Sequence, residues 1–128
     1  MKYALIGCGR IAPNHVEAAI NNSMKVVGLC DIDLNQIKLL KEKSPGVKKV
    51  PEYSDYKHMI KEIKPDIIAI ATESGNHAEI AKEVIKMGCN VIVEKPVALS
   101  LSDIDEMILL SQKHNVKVAS CHQNRFNK

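Results

Sequence analysis

Tyr3-Ala4-Leu5-Ile6-Gly7-Cys8-Gly9-Arg10-Ile11-Ala12 is the stretch that decides the fold. A short apolar run leads straight into G-x-G-x-x-A, the pattern of a first strand turning into a first helix. Gly7 permits the tight turn, Gly9 lets a pyrophosphate come close to the backbone, and the small Ala12 lets the helix pack on the strand. The helix is then expected to aim free N–H groups and the positive end of its dipole at the phosphates. A second apolar run ends at Cys30-Asp31, where a carboxylate would accept hydrogen bonds from an adenosine ribose. Strand, glycine loop, helix and acidic partner together point to dinucleotide binding.

The alternation continues along the chain. Short Val- and Ile-rich runs lie at 3–6, 26–30, 67–71, 91–93 and 116–120, with a weaker one near Lys49-Val50. They are nearly continuous rather than alternating, as parallel strands buried on both faces require. Amphipathic segments separate them. Tyr56, Met59, Ile60 and Ile63 share one helical face, as do Ala81, Val84 and Ile85, after which Gly88 ends the helix. Leu34–Lys43 reads as a helix that stops before Ser44-Pro45-Gly46, and 102–114 as another with Asp103, Asp105 and Glu106 near its start. The order β-α repeated predicts an α/β, doubly wound parallel sheet.

Composition narrows the function. The chain has 128 residues, enough for one domain with a real core. Its net charge is only +3 and its aromatic content 3%, which argues against a nucleic-acid surface. No apolar run approaches the roughly 20 residues of a membrane span. Met1-Lys2 leads directly into a strand run, so no signal peptide is expected. Cys8, Cys30, Cys89 and Cys121 are widely spaced and read as reduced thiols of a cytoplasmic protein. The five histidines have no ligand spacing with a third partner, so no metal site is expected.

In open α/β sheets ligands bind beyond the carboxyl ends of the strands. The groups that fall there are Gly7-Cys8-Gly9, Asp31-Ile32-Asp33, Thr72-Glu73-Ser74-Gly75, Glu94-Lys95-Pro96 and His122-Gln123-Asn124-Arg125. Lys95, at the end of a central strand and aimed by Pro96, suits a proton relay to a reacting hydroxyl. A solvated lysine in a surface turn is the plainer alternative. Asp31 has the same double reading, as ribose acceptor or helix cap, and Asp33 serves the cap equally well.

With these residues in place, the chain resembles the N-terminal domain of the glucose–fructose oxidoreductase / inositol dehydrogenase family, Gfo/Idh/MocA. The resemblance rests on Gly7-Cys8-Gly9-Arg10-Ile11-Ala12, Cys30-Asp31, Ala71-Thr72, His77-Ala78-Glu79, Glu94-Lys95-Pro96 and Gln123-Asn124-Arg125-Phe126, and covers essentially the whole chain. It implies a Rossmann domain of a pyridine-nucleotide oxidoreductase acting on a sugar, polyol or nucleotide-sugar hydroxyl. It implies cofactor contacts from Gly7, Cys8, Gly9, Arg10, Ile11, Asp31, Thr72, His77, Glu94, Lys95 and Arg125, with Lys95 beside both nicotinamide and substrate oxygen. Glu73-Ser74-Gly75 departs from the proline that many members carry after the threonine. Thr72 to Ile80 and the Cys121 to Phe126 run look most like the branch that oxidises the 3-hydroxyl of UDP-N-acetylated sugar acids.

Asp31 would repel the 2′-phosphate of NADP and accept from the free ribose of NAD, so NAD is the expected cofactor and NADP the lesser one. Residues 1–120 are read as the NAD-binding domain. Residues 121–128 are read as the start of a connection to a C-terminal substrate domain, through which substrate binding and homo-oligomer formation are expected. A non-catalytic module sensing NAD/NADH is the alternative; it would need the glycine loop and Asp31 but not Lys95. A nucleotide or methyl-donor binding domain fits the loop and Asp31 less well.

Overall fold

A computed structural model describes residues 1–72, 77–94 and 101–121. Six strands form one parallel sheet: β1 (Lys2–Ile6), β2 (Lys25–Cys30), β3 (Glu52–Tyr53), β4 (Ile67–Ile70), β5 (Asn90–Glu94) and β6 (Val118–Cys121). Helices α1 (Ala12–Asn21), α2 (Leu34–Lys43), α3 (Tyr56–Ile63), α4 (His77–Lys86) and α5 (Leu101–Lys113) alternate with them, and a 3₁₀ turn (Pro45–Val47) precedes β3. The strand order is β3-β2-β1-β4-β5-β6. The chain therefore starts in the middle, builds outwards to β3, then returns to build the other side. That order places the switch point between β1 and β4, the expected ligand crevice of a doubly wound sheet.

The apolar runs of β1, β2, β4 and β5 are strands packed between two cores. One core lies on the side of α3 and α4 and contains Ile6, Met59, Ile68, Ile70, Val84 and Ile85. The other lies on the side of α1 and α2 and contains Leu5, Val16, Leu29, Ile37 and Leu40. Gly28 of β2 serves the first: a Cβ there would come within 2.5 Å of Ile63 and 2.8 Å of Met59, so its bare backbone lets α3 lie close. Lys82 of α4 reaches Asp103 at 2.7 Å and Glu106 at 2.9 Å, tying α4 to α5 on the surface.

Helix boundaries follow local chemistry. Asp33 caps α2 by accepting from Asn35 N at 3.0 Å, and Asp55 caps α3 by accepting from Lys57 N at 2.9 Å. Gly88, at φ +86°, takes the left-handed conformation just after α4, as expected of it. The weak strand expected near Lys49-Val50 is instead Glu52–Tyr53. The pairing there is set by two backbone bonds, Leu29 N to Pro51 O and Asp31 N to Tyr53 O, and not by an apolar run. Among the described residues no helix is long and apolar enough to cross a membrane.

The two cores lie on opposite faces of the sheet and share no helix. Ile37→Ala and Val84→Ala are each expected to cost about 2–4 kcal/mol, and the double variant to show their sum within about 0.5 kcal/mol. Urea denaturation of the three variants checks this; strong non-additivity would mean the two layers are coupled.

Candidate functional site

A cleft of about 510 Å³ opens at the switch point. Gly7, Gly9 and Arg10 line it from the β1–α1 loop, Asp31 to Asp33 from the end of β2, and Ala71 and Thr72 from the end of β4. The strand-end groups selected from sequence on β1, β2 and β4 thus meet in one place.

The two glycines do different work. Gly7 sits at φ +97°, and a Cβ on it would lie 2.6 Å from Ala71 C and Thr72 N. It is required by the turn and by the close approach of the β4 backbone. A Cβ on Gly9 would meet nothing within 4 Å. The protein does not need glycine there, and the open space is what a ligand could fill. Ala12 is fully buried beneath, as its small size predicted.

The donors lie slightly ahead of where the sequence suggested. In the first turn of α1, Ala12 N bonds Gly9 O and Asn14 N bonds Ile11 O, both at 3.1 Å, and Pro13 has no N–H. The N–H groups of Gly9, Arg10 and Ile11 take no backbone carbonyl among the described residues. Ile11, the residue before α1, offers no side-chain cap, unlike Asp33 before α2 and Asp55 before α3. An anion in the cleft would therefore meet loop N–H groups backed by an uncapped helix end.

Asp31 holds that loop in shape. One carboxylate oxygen accepts from Cys8 N at 2.8 Å and the other from Asp33 N at 2.9 Å. Asp33 takes over the helix cap. A carboxylate has about four acceptor positions, so Asp31 keeps capacity for ribose hydroxyls.

Other expected contacts stand one layer back. His77 is 1% exposed, and its Nε2 lies 2.5 Å from Thr72 O. The carbonyl only accepts, so Nε2 carries the proton and Nδ1 is left as a buried acceptor without a partner among the described residues. His77 thus holds Thr72 and is not itself among the cleft-lining residues. Glu94 is buried at the end of β5, with Oε1 2.5 Å from His15 Nε2. Cys8 and Ile11 do not line the cleft; Cys8 is buried and contributes through its backbone N–H. Glu73, Ser74, Gly75, Lys95, Pro96, His122, Gln123, Asn124 and Arg125 lie outside the described residues.

Burial and the neighbouring Asp31 charge push the Cys8 and Cys30 thiols up to about 12. With Cys89, these are free, buried thiols. Sequence reading overlooked Ser54, Tyr56 and Gln36 as cleft residues. Ser54 and Tyr56 follow β3, and misplacing β3 concealed them; Gln36 is one helical turn on from Asp33.

A family model described as "Oxidoreductase family, NAD-binding Rossmann fold" (GFO_IDH_MocA) matches residues 1–122. The chain belongs to this family. Among curated proteins it is 31% identical over 121 residues to glycosyl hydrolase family 109 protein 1 of Akkermansia muciniphila, covering 88% of this chain and 25% of that protein. It is 28% identical over 130 residues to myo-inositol 2-dehydrogenase of Thermotoga maritima, covering 100% and 38%. Among solved structures, the WlbA dehydrogenase of Bordetella pertussis in complex with NADH and UDP-GlcNAcA superposes with a TM-score of 0.85 at 28% identity, covering 98% of this chain and 38% of that one. The chain thus spans well under half the length of these relatives. It is an NAD-binding Rossmann domain of an oxidoreductase family, and the cleft carries the features that NAD needs: open loop donors, an uncapped helix and a carboxylate at the end of β2.

Gly7→Ala is expected to cost about 2 kcal/mol or more, because the new methyl meets backbone that cannot yield. Gly9→Ala should leave stability within about 0.5 kcal/mol yet weaken NAD binding about tenfold by occupying the ligand's space. Thermal melts and calorimetric titration separate the two. The thiols set a pH dependence. A thiol in the unfolded chain ionises near 9.0, and Cys8 and Cys30 when folded only near about 12. Their contribution to stability is complete below pH 9. It falls as the pH rises from 9 towards 12, by up to about 1.4 kcal/mol per pH unit for each thiol. Urea denaturation from pH 8 to 10.5 should show this slope, and Cys8→Ala/Cys30→Ala should flatten it.

Proposed function

We infer that this domain is the cofactor half of a cytoplasmic, NAD-dependent dehydrogenase acting on a secondary hydroxyl of a sugar, polyol or nucleotide-sugar. The single observation that carries this is the cradle at the switch point, where open space over Gly9 adjoins the Asp31 carboxylate. NAD, when bound, accepts the hydrogen and its electron pair from the alcohol carbon. The chain's own residues do the rest. Loop N–H groups hold the pyrophosphate, Asp31 takes the ribose hydroxyls, and Thr72 lines the cleft, while Glu94 stands one layer back at the end of β5. Lys95 and Arg125 are assigned to the nicotinamide end on the family resemblance, with Lys95 moving the hydroxyl proton as the carbonyl forms. NAD is preferred over NADP, because Asp31 and Asp33 both line the cleft and would repel a 2′-phosphate there. Residues 121–128 begin the link to the substrate domain, which also builds the homo-oligomer.

A WlbA-like nucleotide-sugar acid fits the Thr72 to Ile80 and Cys121 to Phe126 runs and the fold of the Bordetella enzyme. The Akkermansia relative bears the name of a hydrolase, so hydrolysis is the reading to set against oxidation.

The test is appearance of NADH when the intact protein is given NAD with myo-inositol, a D-glucoside or a UDP-N-acetylated sugar acid. Net NADH formation is expected, and Lys95→Ala should lower it about 100-fold or more while NAD binding persists. Glycoside cleavage without net NADH would overturn the dehydrogenase reading. Binding without any turnover would favour the NAD/NADH-sensing module. For cofactor choice, Asp31→Ala is expected to narrow the NAD/NADP difference and also to weaken NAD about tenfold, since it releases Cys8 N–H as well. Parallel titrations with NAD and NADP measure both effects.

A further inference from the structure

His15 and Glu94 are 79 positions apart and meet inside the protein. Their side chains are 8% and 7% exposed. A carboxyl at that depth has to be hydrogen-bonded, and His15 supplies a partner. A carboxylate oxygen accepts, so His15 donates through Nε2–H.

The two partners belong to opposite ends of the cleft. His15 lies in the first turn of α1, directly behind the Gly7–Gly9 loop that forms the phosphate cradle. Glu94 is the last residue of β5 and is peptide-bonded to Lys95. α1 packs against β1 and β2, whereas β5 is separated from β1 by β4. The hydrogen bond therefore reaches over the end of β4 and joins the phosphate-binding helix to the strand end at Glu94.

The geometry points to His15 as a positioning residue: it sets the Glu94 carboxylate, and with it the end of β5, relative to the phosphate cradle, so that a cofactor seated by its pyrophosphate finds the nicotinamide end in register. This rests on the dehydrogenase reading. His15 acts through Glu94 and does not touch the cofactor. Only Nε2 matters in this role; a side chain that donates from the position of Nδ1 cannot reach.

The test compares His15→Gln, whose amide nitrogen falls near the position of Nε2, with His15→Asn, whose amide falls near Nδ1. Both are titrated in the intact protein with NADH, read by nicotinamide fluorescence, and with ADP, which engages the cradle alone. His15→Asn is expected to raise the NADH dissociation constant about tenfold, the range of one charge-assisted hydrogen bond, with ADP affinity unchanged within about twofold. His15→Gln should stay within about threefold of wild type for both ligands. Parallel loss of ADP and NADH, or equal behaviour of Gln and Asn, overturns the proposal in favour of a purely structural pair. If His15→Asn does not fold, His15→Met takes its place as the variant without a donor, judged against Gln in the same way. Failure of the wild type to bind NADH would count against the dehydrogenase reading itself, whatever the variants do.

Discussion

The turn at Gly7 is pinned from two sides, and the rest of the site depends on it. On one side the backbone of Ala71 and Thr72 presses so close that no side chain could fit. On the other, Asp31 draws in the N–H of Cys8. The three strands that carry these residues, β4, β1 and β2, are neighbours in the sheet: β1 pairs β4 without a break, and pairs β2 through a register shift between Tyr3 and Ala4 that leaves Leu5 and Ile6 opposite Leu29 and Cys30. The sheet's hydrogen bonds therefore fix the loop before any ligand arrives. A cradle whose donors are already in place spares the ligand the cost of ordering them.

Two buried histidines extend that order sideways. His77 fixes the carbonyl of Thr72 at the end of β4, and His15 fixes the carboxylate of Glu94 at the end of β5. Each sits at the start of a helix and bonds to a strand end, so each locks a helix–strand crossing at the rim of the cleft. The thiols near them contribute differently. Burial and the Asp31 charge hold Cys8 and Cys30 protonated, so they act as small apolar residues under the loop.

Strands β1, β2, β4 and β5 were legible because they carry residues of both cores and so read as nearly unbroken apolar runs, whereas β6 lies at the sheet edge with Val118 exposed. Leu34–Lys43 was legible to the residue, because Asp33 marks its start and Ser44-Pro45 its end. β3 was not: at two residues, Glu52 and Tyr53, it has no pattern to read, and backbone bonds to β2 alone define it. In the site, Gly7, Gly9 and Asp31 could be chosen from spacing, since their roles are local to one β-α-β unit. The partnerships of His15 and His77 could not. In sequence His15 is one polar residue in an amphipathic helix, and its partner is named only when the strand order brings β5 within reach of α1. The same holds for Asp31, whose grip on Cys8 depends on β1 and β2 lying side by side.

All six strands run the same way, so the molecule has a working end and an idle end. Gly9, Asp31, Thr72 and Glu94 belong to the first; Lys2, Lys25, Asn90 and Val118, where strands begin, belong to the second. The amino terminus emerges at the idle end, beside Lys25 and well away from the cleft, with Met1 exposed. A tether, label or solid support attached at Met1 would thus sit at the strand-start end, opposite the cofactor cleft.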